Sequence, residues 1–508
     1  MDCSSNVNDV IVIGGGINGT GIALDAAGRG LKVLLCEQAD LGSATSSNSS
    51  KLIHGGLRYL EHYDFRLVRE SLAEREVLLR KAPHLITPMR FRIPHRPHLR
   101  PAWMIRLGLF LYDNLSKRAT LKSSCGIKFA ADSPLLPHMK RGFEYSDGWV
   151  DDSRLVVLNA VAAKQKGAEI LTQTRCVKIK RVNSLWQVTL ENSITGALRQ
   201  VRARALVNAA GPWVSSLYQD AMQKEAPKQV RLIKGSHIVV PRIHTEKEAY
   251  LLQNADGRVV FLIPFEEKFS LIGTTDIEHQ GDPSKVAISA AEIDYILGIS
   301  NAHFKRQLTA EDVYWAFSGV RPLLDDESDS PQAVTRDYTF EVEAPAGMAP
   351  ILSVFGGKLT TYRKLSELAV DGLVEFFAHA GPAWTKHATL PGGDFSNQAN
   401  LQAQLNTNYP WLPIELCARY ARSYGTLSYQ ILSEASVLAD LGEHFGAGLY
   451  ALEIDYLVAH EWARNVDDIL WRRSKLGLSM STSEKLRLAD YMRGLDLGEA
   501  LLRPLKRA

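Results

Sequence analysis

The stretch from residue 9 to residue 37 constrains the fold of this chain more than any other part. It reads as a strand, a glycine-rich turn, a helix and a second strand: DVIVIGGGINGTGIALDAAGRGLKVLLCE. Gly14, Gly16 and Gly19 have G-x-G-x-x-G spacing, which allows a tight turn and a close approach of the backbone to a pyrophosphate. The helix that follows offers its N-terminal N–H groups to that anion.

Glu37 ends the second strand about 20 residues beyond the glycines, where an acid accepts hydrogen bonds from an adenosine ribose. The glycine spacing alone is weak evidence, because glycine-rich turns also occur in other α/β domains. Together with the two strands, the helix and the acid, it predicts a dinucleotide site.

Composition sets broad limits on the class of protein. A length of 508 residues allows about two or three domains, and 45% hydrophobic residues favour a buried core over disorder. The net charge of +3 gives no reason to expect a nucleic acid as partner. The five cysteines are scattered without a C-x-x-C pair, which is typical of a reduced intracellular protein without disulfides or a zinc site. We therefore expect no metal site.

The chain has no apolar run of the roughly 18 residues that a membrane-spanning helix needs. Residues 1–8 are polar and too short for a signal or transit peptide. Between Arg80 and Tyr112, however, no acidic residue occurs, and arginines alternate with proline, histidine and large apolar residues: Arg90, Arg92, Arg96, Arg100 and Arg106. This segment fits either a surface element at a lipid interface or a solvated basic face over an ordinary buried helix.

The order of elements favours FAD over NAD. The second strand is followed by a loop of small polar residues, Gly42 to Lys51, which is either a flexible surface loop or a loop lying along a cofactor. Nucleotide-type segments return only at residues 169–177, 207–211 and 353–361, after an intervening antiparallel pattern between Val230 and Gly273. Such an interruption suits a long cofactor that is held at several points.

We therefore predict a mixed α/β (α+β) fold: an FAD-binding Rossmann-like domain interrupted by an antiparallel substrate domain, with a C-terminal α-helical domain. The expected bounds are 1–80, 150–228 and 335–389 for the FAD-binding domain, 81–149 and 229–334 for the substrate domain with the basic segment, and 390–508 for the helical domain. Ser153 is the expected N-cap of a helix that runs to about Gln165.

Several long motifs occur in a fixed order along the chain: GGGINGTGIALDAAGRG, SSKLIHGGLRYLEH, GPWV, LIKGSHIVVP, IGTTD, SGVRPL and SVFGGKLTTYRKL. They resemble the motifs of FAD-dependent glycerol-3-phosphate dehydrogenase of the bacterial aerobic, respiratory type. The similarity runs from Asp9 to about Gly393 and continues more weakly into the C-terminal helices.

The resemblance implies a fold of the amino-acid-oxidase group of flavoproteins. The sequence has no obvious pattern for covalent attachment, so we expect the FAD to be non-covalent. It implies oxidation of sn-glycerol 3-phosphate to dihydroxyacetone phosphate by hydride transfer to flavin N5, with electrons passed to membrane quinone. It also implies a peripheral protein on the cytoplasmic face of the bacterial inner membrane, without a signal peptide or transmembrane helix. A homodimer is a further expectation from the family.

Two histidines are candidates for the base that takes the hydroxyl proton. His54 is the first choice, since its pKa class suits proton transfer near neutrality and it precedes Gly55-Gly56, where a backbone can approach a flavin. His237 is the rival base or a hydrogen-bond donor to the substrate. A purely structural role is the alternative for His54. Lys358 and the helix N-terminus at Thr360 would place positive charge near flavin N1–C2=O.

A phosphomonoester substrate needs cationic side chains. Arg321 and Arg58 are the candidates, because a guanidinium forms bidentate contacts with phosphate, and Tyr59 could add a hydroxyl. The alternative for either arginine is an ion pair with Asp325 or Glu61. The residues expected to hold FAD lie in the quoted motifs, the polar loop and the strand at Val177: Gly14, Gly16, Ile17, Asn18, Gly19, Glu37, Thr45, Ser46, Ser49, Ser50, Lys51, Val177, Ala210, Gly211, Gly357, Lys358, Leu359 and Thr360.

Two other functions remain open. An FAD-dependent oxidase of an amino acid or 2-hydroxy acid, reacting with oxygen, is possible because two arginines also suit a carboxylate. A non-catalytic, membrane-associated flavoprotein is the other alternative, and the combination of His54, Arg58, His237 and Arg321 argues against it.

Overall fold

The computed structural model describes residues 7–96, 99–324 and 337–495. Two large β-sheets with flanking helices make up the first four-fifths of the chain, and a mainly helical unit follows. Asp325, and the ends of the expected domains at residues 1, 334, 335 and 508, lie outside the described residues.

Within the described residues, the first sheet has eight strands: β1 (Val7–Ile13), β2 (Val33–Cys36), β7 (Glu169–Leu171), β8 (Thr174–Val182), β9 (Leu185–Asn192), β10 (Leu198–Asn208), β17 (Tyr338–Glu343) and β18 (Ile351–Gly356). Its main path runs β17–β18–β10–β1–β2–β7, and the pairs from β18 to β7 are parallel. The central strand β1 is buried on both faces, which explains why its sequence is continuously apolar rather than alternating.

Three helices cover one face of this sheet: α1 (Ile17–Gly28), α4 (Asp152–Gln165) and α6 (Tyr362–Val374). The cap predicted for α4 is wrong by two residues. Asp151 has extended backbone geometry, and its carboxylate accepts a hydrogen bond from the backbone N–H of Arg154. Ser153 already lies within the first turn of the helix, where it donates its hydroxyl to Asp151 at 3.1 Å.

The described part of the chain gives the second sheet ten strands: β3 (Leu52–Ile53), β4 (Ile86–Pro94), β5 (Cys125–Lys128), β6 (Arg141–Val150), β11 (Val230–Pro241), β12 (Ala249–Gln253), β13 (Val259–Phe265), β14 (Phe269–Gly273), β15 (Ile277–Glu278) and β16 (Trp315–Leu324). All its pairs are antiparallel except β4 with β12. Alternate side chains face α2 (Phe65–Lys81) and α3 (Ala102–Asn114) on one side and α5 (Ala290–Asn301) on the other.

As far as residue 495, the last one described, the C-terminal unit has five α-helices: α7 (Gln398–Asn408), α8 (Ile414–Ser423), α9 (Leu427–Ile431), α10 (Ala451–Glu461) and α11 (Thr482–Gly494). It also contains a short hairpin of β19 (His444–Gly446) and β20 (Leu449–Tyr450), so the expectation of helices alone is wrong in this detail. Gly446 and Gly448 have φ of +115° and +76°, which a tight reversal requires. The bounds of the three domains stay a prediction.

Buried ion pairs join this unit to the rest of the molecule. Arg154 on α4 donates to Glu461 on α10 with an Nη2–Oε1 distance of 3.0 Å, and both side chains are fully buried. Asp40 accepts from Arg473 with an Oδ1–Nη2 distance of 2.8 Å and pairs with Arg472 as well. A buried pair gives little net stability over an apolar contact, but removing one partner leaves an uncompensated charge.

We expect Glu461→Ala to lower the free energy of unfolding by about 3–5 kcal/mol, because Arg154 would stay buried without its partner. Urea unfolding followed by tryptophan fluorescence measures the change. The matched control is Glu443→Ala, which removes a half-exposed partner 3.4 Å from Arg487 and should cost less than about 1 kcal/mol. Similar losses in both variants would contradict a special role of the buried pair.

Candidate active site

A cavity of about 1000 Å³ lies at the carboxyl ends of the first sheet's parallel strands and extends to the second sheet. Ligands of open parallel sheets bind at this edge. The wall includes most of the predicted cofactor and substrate residues: Gly14, Gly16, Ile17, Asn18, Glu37, Thr45, Ser46, Ser49, Ser50, His54, Arg58, Tyr59, Ala210, Gly211, Arg321, Gly357, Lys358, Leu359 and Thr360.

The glycine-rich turn brings backbone unusually close to backbone. Gly14 has a φ of +111°, and a Cβ on it would lie 2.5 Å from the carbonyl oxygen of Ala209. A Cβ on Gly19 would lie 1.8 Å from the carbonyl oxygen of Gly14. The hydroxyl of Ser46 accepts a hydrogen bond from the N–H of Ile17 at 3.0 Å. The polar loop therefore reaches the N-terminus of α1, where an anion is favoured.

Glu37 stands at the other side of this turn. Its carboxylate accepts hydrogen bonds from the backbone N–H groups of Gly15 at 2.7 Å and Ala39 at 2.9 Å. Burial raises the pKa of Glu37 above its ordinary value, although the two N–H groups oppose that change. A carboxylate has about four acceptor sites. These two bonds hold the loop and leave acceptor capacity on a carboxylate that lines the cavity.

The opposite end of the cavity carries His54, Tyr59 and Lys358. The backbone N–H of His54 donates to Oγ1 of Thr360 at 3.2 Å. Nζ of Lys358 lies 4.4 Å from the ring centroid of Tyr59 and donates to the hydroxyl of Ser71 at 3.1 Å. The two motifs that contain His54 and Lys358 are thus held together, although about 300 residues separate them.

Arg321 is fixed from one side by polar contacts. Its guanidinium pairs with Asp276, and Nη2 donates to Oγ1 of Thr274 at 3.1 Å. Gly235 makes room for it, because a Cβ there would lie 2.5 Å from Nη2 of Arg321. The side chain is 27% exposed, so the guanidinium can still meet a ligand in the cavity. Glu61, one of the two acids considered as ion-pair partners of Arg321 and Arg58, is paired with Arg100.

Four predicted residues do not line the cavity. Gly19 packs against Gly14. Val177 lies at the bulge in β8, and Thr174, Arg175 and Cys176 line the wall there instead. Lys51 is fully buried in an ion pair with Asp152 at 2.8 Å, and burial lowers its pKa.

His237 is the fourth of these residues. It is 1% exposed, its Nε2 lies 2.9 Å from the hydroxyl of Ser50, and its ring stacks on Phe317 with centroids 4.9 Å apart. Burial lowers the pKa of His237 well below its ordinary value, and the charges of Arg321 and Lys51 act in the same direction. The imidazole of His237 is therefore neutral and lies behind Ser50, which lines the cavity.

Sequence reasoning assigned no role to Thr274 and Asp276, the partners of Arg321. Both residues lie in the IGTTD motif at the end of a strand pattern. The sequence signal for these residues was an acid and hydroxyl side chains directly after a predicted strand. Asp147 also lines the cavity and was missed, because it lies inside a strand whose pattern shows nothing unusual.

Comparison with known proteins is decisive on the family. The family model described as FAD dependent oxidoreductase matches residues 9–363, and that of the C-terminal domain of alpha-glycerophosphate oxidase matches residues 383–492. The chain is 60% identical to a glycerol-3-phosphate dehydrogenase of Pseudomonas aeruginosa, over 96% of this chain and 95% of that protein. It is 57% identical to the aerobic glycerol-3-phosphate dehydrogenase of Escherichia coli, over 95% and 97%. The chain belongs to the bacterial FAD-dependent glycerol-3-phosphate dehydrogenases.

Solved structures agree with this family assignment. A glycerol-3-phosphate dehydrogenase from Bacillus halodurans complexed with FAD has a TM-score of 0.74 and 26% identity, covering 99% of this chain and 97% of that one. Glycine oxidase from Geobacillus kaustophilus shares the fold, with a TM-score of 0.54 and 18% identity over 73% of this chain and 95% of that one. The predicted fold class, with its amino-acid-oxidase-like flavoprotein domain and C-terminal helical unit, is confirmed.

We expect Glu37→Ala to weaken FAD binding, because the loop loses two charge-assisted hydrogen bonds and the ribose loses an acceptor. Bonds to a charged group contribute about 1.5–3 kcal/mol, which corresponds to roughly a tenfold or larger rise in Kd. Flavin fluorescence during titration of the apoprotein measures it. Glu169→Ala removes an acid from the exposed end of β7 and should leave the affinity unchanged. Full affinity in Glu37→Ala would remove Glu37 from the ribose role.

Proposed function

We propose that this protein oxidises sn-glycerol 3-phosphate to dihydroxyacetone phosphate and passes the electrons to membrane quinone. The observation that carries the proposal is one cavity wall that joins a dinucleotide-type turn at Gly14 to a cluster of His54, Arg58, Lys358 and Arg321. The relatives of highest identity quoted above are named for this substrate, which supports the same reaction.

FAD fits the cavity at three points. Glu37 would accept the adenosine ribose, the turn at Gly14 and the N-terminus of α1 would hold the pyrophosphate, and Ser46 would lie beside it. Gly357 to Thr360 would face the flavin ring, with the charge of Lys358 near it. Bound non-covalently, FAD supplies a hydride acceptor at N5. These residues orient it and keep positive charge near the ring.

The substrate would lie between His54 and Arg321. Arg321 and Arg58 would bind the phosphate, with Tyr59 as a further donor, because guanidinium groups match the geometry of phosphate oxygens. Asp276 holds Arg321 in its orientation before substrate arrives. His54 would take the proton of the C2 hydroxyl as the C2 hydride leaves.

Arg321→Ala should lower kcat/KM for glycerol 3-phosphate by about 30-fold to several thousand-fold, since losing one partner of a buried charge pair costs roughly 2–5 kcal/mol. Turnover of unphosphorylated glycerol should barely change. Reduction of a dye acceptor measures both. Equal losses on both substrates would show that Arg321 serves the chemistry or the flavin rather than the phosphate.

Gly235→Ala tests the same assignment without removing a charge. The added methyl would lie 2.5 Å from Nη2 of Arg321 and 2.6 Å from Oγ1 of Thr274, so it should displace the guanidinium and raise KM for the phosphorylated substrate. Gly298→Ala is the matched control, because an added methyl there meets no neighbouring group within 4 Å.

D-erythritol 1-phosphate is a useful second substrate, since a Brucella abortus relative with 50% identity over 96% of this chain and 98% of its own length is named for it.

The membrane surface is proposed to be the outer face of α3. Among the described residues, no helix has the length and hydropathy to cross a bilayer. On α3, Ile105, Leu109 and Tyr112 face the core. Its other face exposes Trp103 (66%) and Phe110 (62%), with Met104 and Leu107 beside them. Such an apolar face next to a charged segment suits burial at a lipid interface.

The arginines of the basic segment contribute less to this surface than their number suggests. Arg90 and Arg92 are paired with Glu144, and Arg100 is paired with Glu61. Neutralised arginines attract anionic lipid weakly, so apolar burial should dominate the association. Trp103 and Leu107 also line the edge of the cavity, which supports electron transfer to a quinone that approaches from the lipid side.

Replacing Trp103 and Phe110 together with serine should release the protein from phosphatidylcholine–phosphatidylglycerol vesicles. Full burial of one large apolar side chain contributes about 1.5–3 kcal/mol, so we expect the partition coefficient to fall at least about tenfold. Vesicle sedimentation measures it. Ile414 and Leu486, exposed to 59% and 52% on the C-terminal unit, give the matched control when replaced together with serine. Equal release by the control pair would contradict α3 as the membrane face.

A further inference from the structure

A buried hydrogen-bond network lies directly under the loop that carries His54. The hydroxyl of Tyr112 accepts a hydrogen bond from the backbone N–H of Gly55 at 2.7 Å and donates to the carboxylate of Asp147 at 2.8 Å. Asp147 also binds Nη1 of Arg75 at 2.6 Å. Four segments meet here: the loop after β3, α2, α3 and β6.

The three side chains of the network are buried. Arg75, Tyr112 and Asp147 are each about 2% exposed. Burial raises the pKa of Asp147, while the charge of Arg75 and the hydrogen bonds from Arg75 and Tyr112 oppose that change. Burial also raises the pKa of Tyr112 well above its ordinary value, so the phenol keeps its proton and continues to donate. The hydrogen bonds made inside a buried network rigidify the groups that they join.

The loop packs tightly against this network. A Cβ on Gly55 would lie 2.4 Å from Cδ2 of Leu72 and 2.7 Å from the hydroxyl of Tyr112. Gly56 has a φ of +77°, and a Cβ there would lie 2.2 Å from the ring of Tyr59. On the other side, the N–H of His54 is bonded to Thr360. The backbone on both sides of the imidazole is therefore held by specific contacts.

We propose that Tyr112 is a positioning residue for the reaction, acting through the backbone of Gly55 on His54, with Asp147 and Arg75 fixing the direction of its hydroxyl. The inference rests on the proposed function, in which His54 takes the substrate proton. It also connects the proposed membrane helix α3 with the active site, since Tyr112 lies on the inner face of that helix.

The first test measures the protection of the Gly55 amide and needs no substrate turnover. Hydrogen exchange of the peptide that spans residues 52–58, in the FAD-loaded protein, should show faster exchange at Gly55 in Tyr112→Phe than in the wild type, because the amide loses its acceptor at 2.7 Å and keeps only Asp147 at 3.4 Å. Unchanged exchange at Gly55 would overturn the proposal.

The second test is kinetic. In stopped-flow reduction by saturating glycerol 3-phosphate, Tyr112→Phe should lower the rate of flavin bleaching by about 10- to 100-fold while KM changes much less, since small misplacements of a reacting group have effects of this size. In the His54→Ala background, the same substitution should change the rate by less than about twofold, because its effect passes through His54. The same large fall in both backgrounds would overturn the proposal.

A second tyrosine provides a matched control. Tyr250 is also fully buried and donates its hydroxyl to Glu246, which pairs with Arg92 at 2.6 Å, but this triad does not touch the His54 loop. Tyr250→Phe should lower thermal stability about as much as Tyr112→Phe and leave the rate of bleaching unchanged. If Tyr250→Phe slows bleaching equally, Tyr112 is only structural. Asp147→Asn, which keeps an acceptor for Tyr112 but loses the charge facing Arg75, should give an intermediate rate.

The failure of this inference is distinguishable from that of the proposed function. If His54→Ala bleaches as fast as the wild type, the base assignment fails, and the proposal fails with it. If His54→Ala is slow and Tyr112→Phe is as fast as the wild type, only the positioning role is wrong.

Discussion

Helix α1 can lie directly against its neighbours only because glycines line its contacts. Gly19 meets the backbone of Gly14, and a Cβ on Gly21 would lie 2.4 Å from the hydroxyl of Ser366 on α6. A Cβ on Gly28 would lie 2.0 Å from the indole of Trp384. This close packing sets the axis of α1, and with it the direction of the N–H groups that face the cavity.

The same contacts also position the rest of the site. Because α6 is held against α1, the loop before α6 brings Gly357 and Lys358 to the cavity, and Asn18 on α1 donates to the carbonyl oxygen of Gly356 at 3.3 Å. Thr360 then binds the backbone of His54. The cofactor side of the site is thus a chain of short contacts that begins at a glycine turn.

The proposed substrate side depends on buried or half-buried polar and charged groups instead. Arg321 needs Asp276 and Thr274 to hold its guanidinium, and the His54 loop needs Tyr112 and Asp147 beneath it. These groups come from strands and helices far apart in the chain, so their geometry is set by the packing of the second sheet. In the proposed function, residues that do not contact the substrate matter as well as those that do.

The sequence by itself determined the features that arise from local geometry. The glycine spacing, the acid at Glu37 and the short strand patterns between Val230 and Gly273 depend on neighbouring residues, and each can be recognised in a short window. The expected strand–turn–helix–strand order and the antiparallel strands between Val230 and Gly273 are present in the structure. The long motifs that identified the family are also continuous stretches of the sequence.

Only the tertiary structure decided which polar residues face the cavity and which are buried behind it. Lys51 and His237 lie in motifs close to the cavity, yet Lys51 pairs with Asp152, and His237 is buried behind Ser50 and hydrogen-bonded to it. Gly55 and Tyr112 are 57 positions apart, and they meet through packing that no short stretch of sequence predicts. A side chain's burial and partners depend on long-range contacts between elements, whereas a turn or a strand depends on its own backbone.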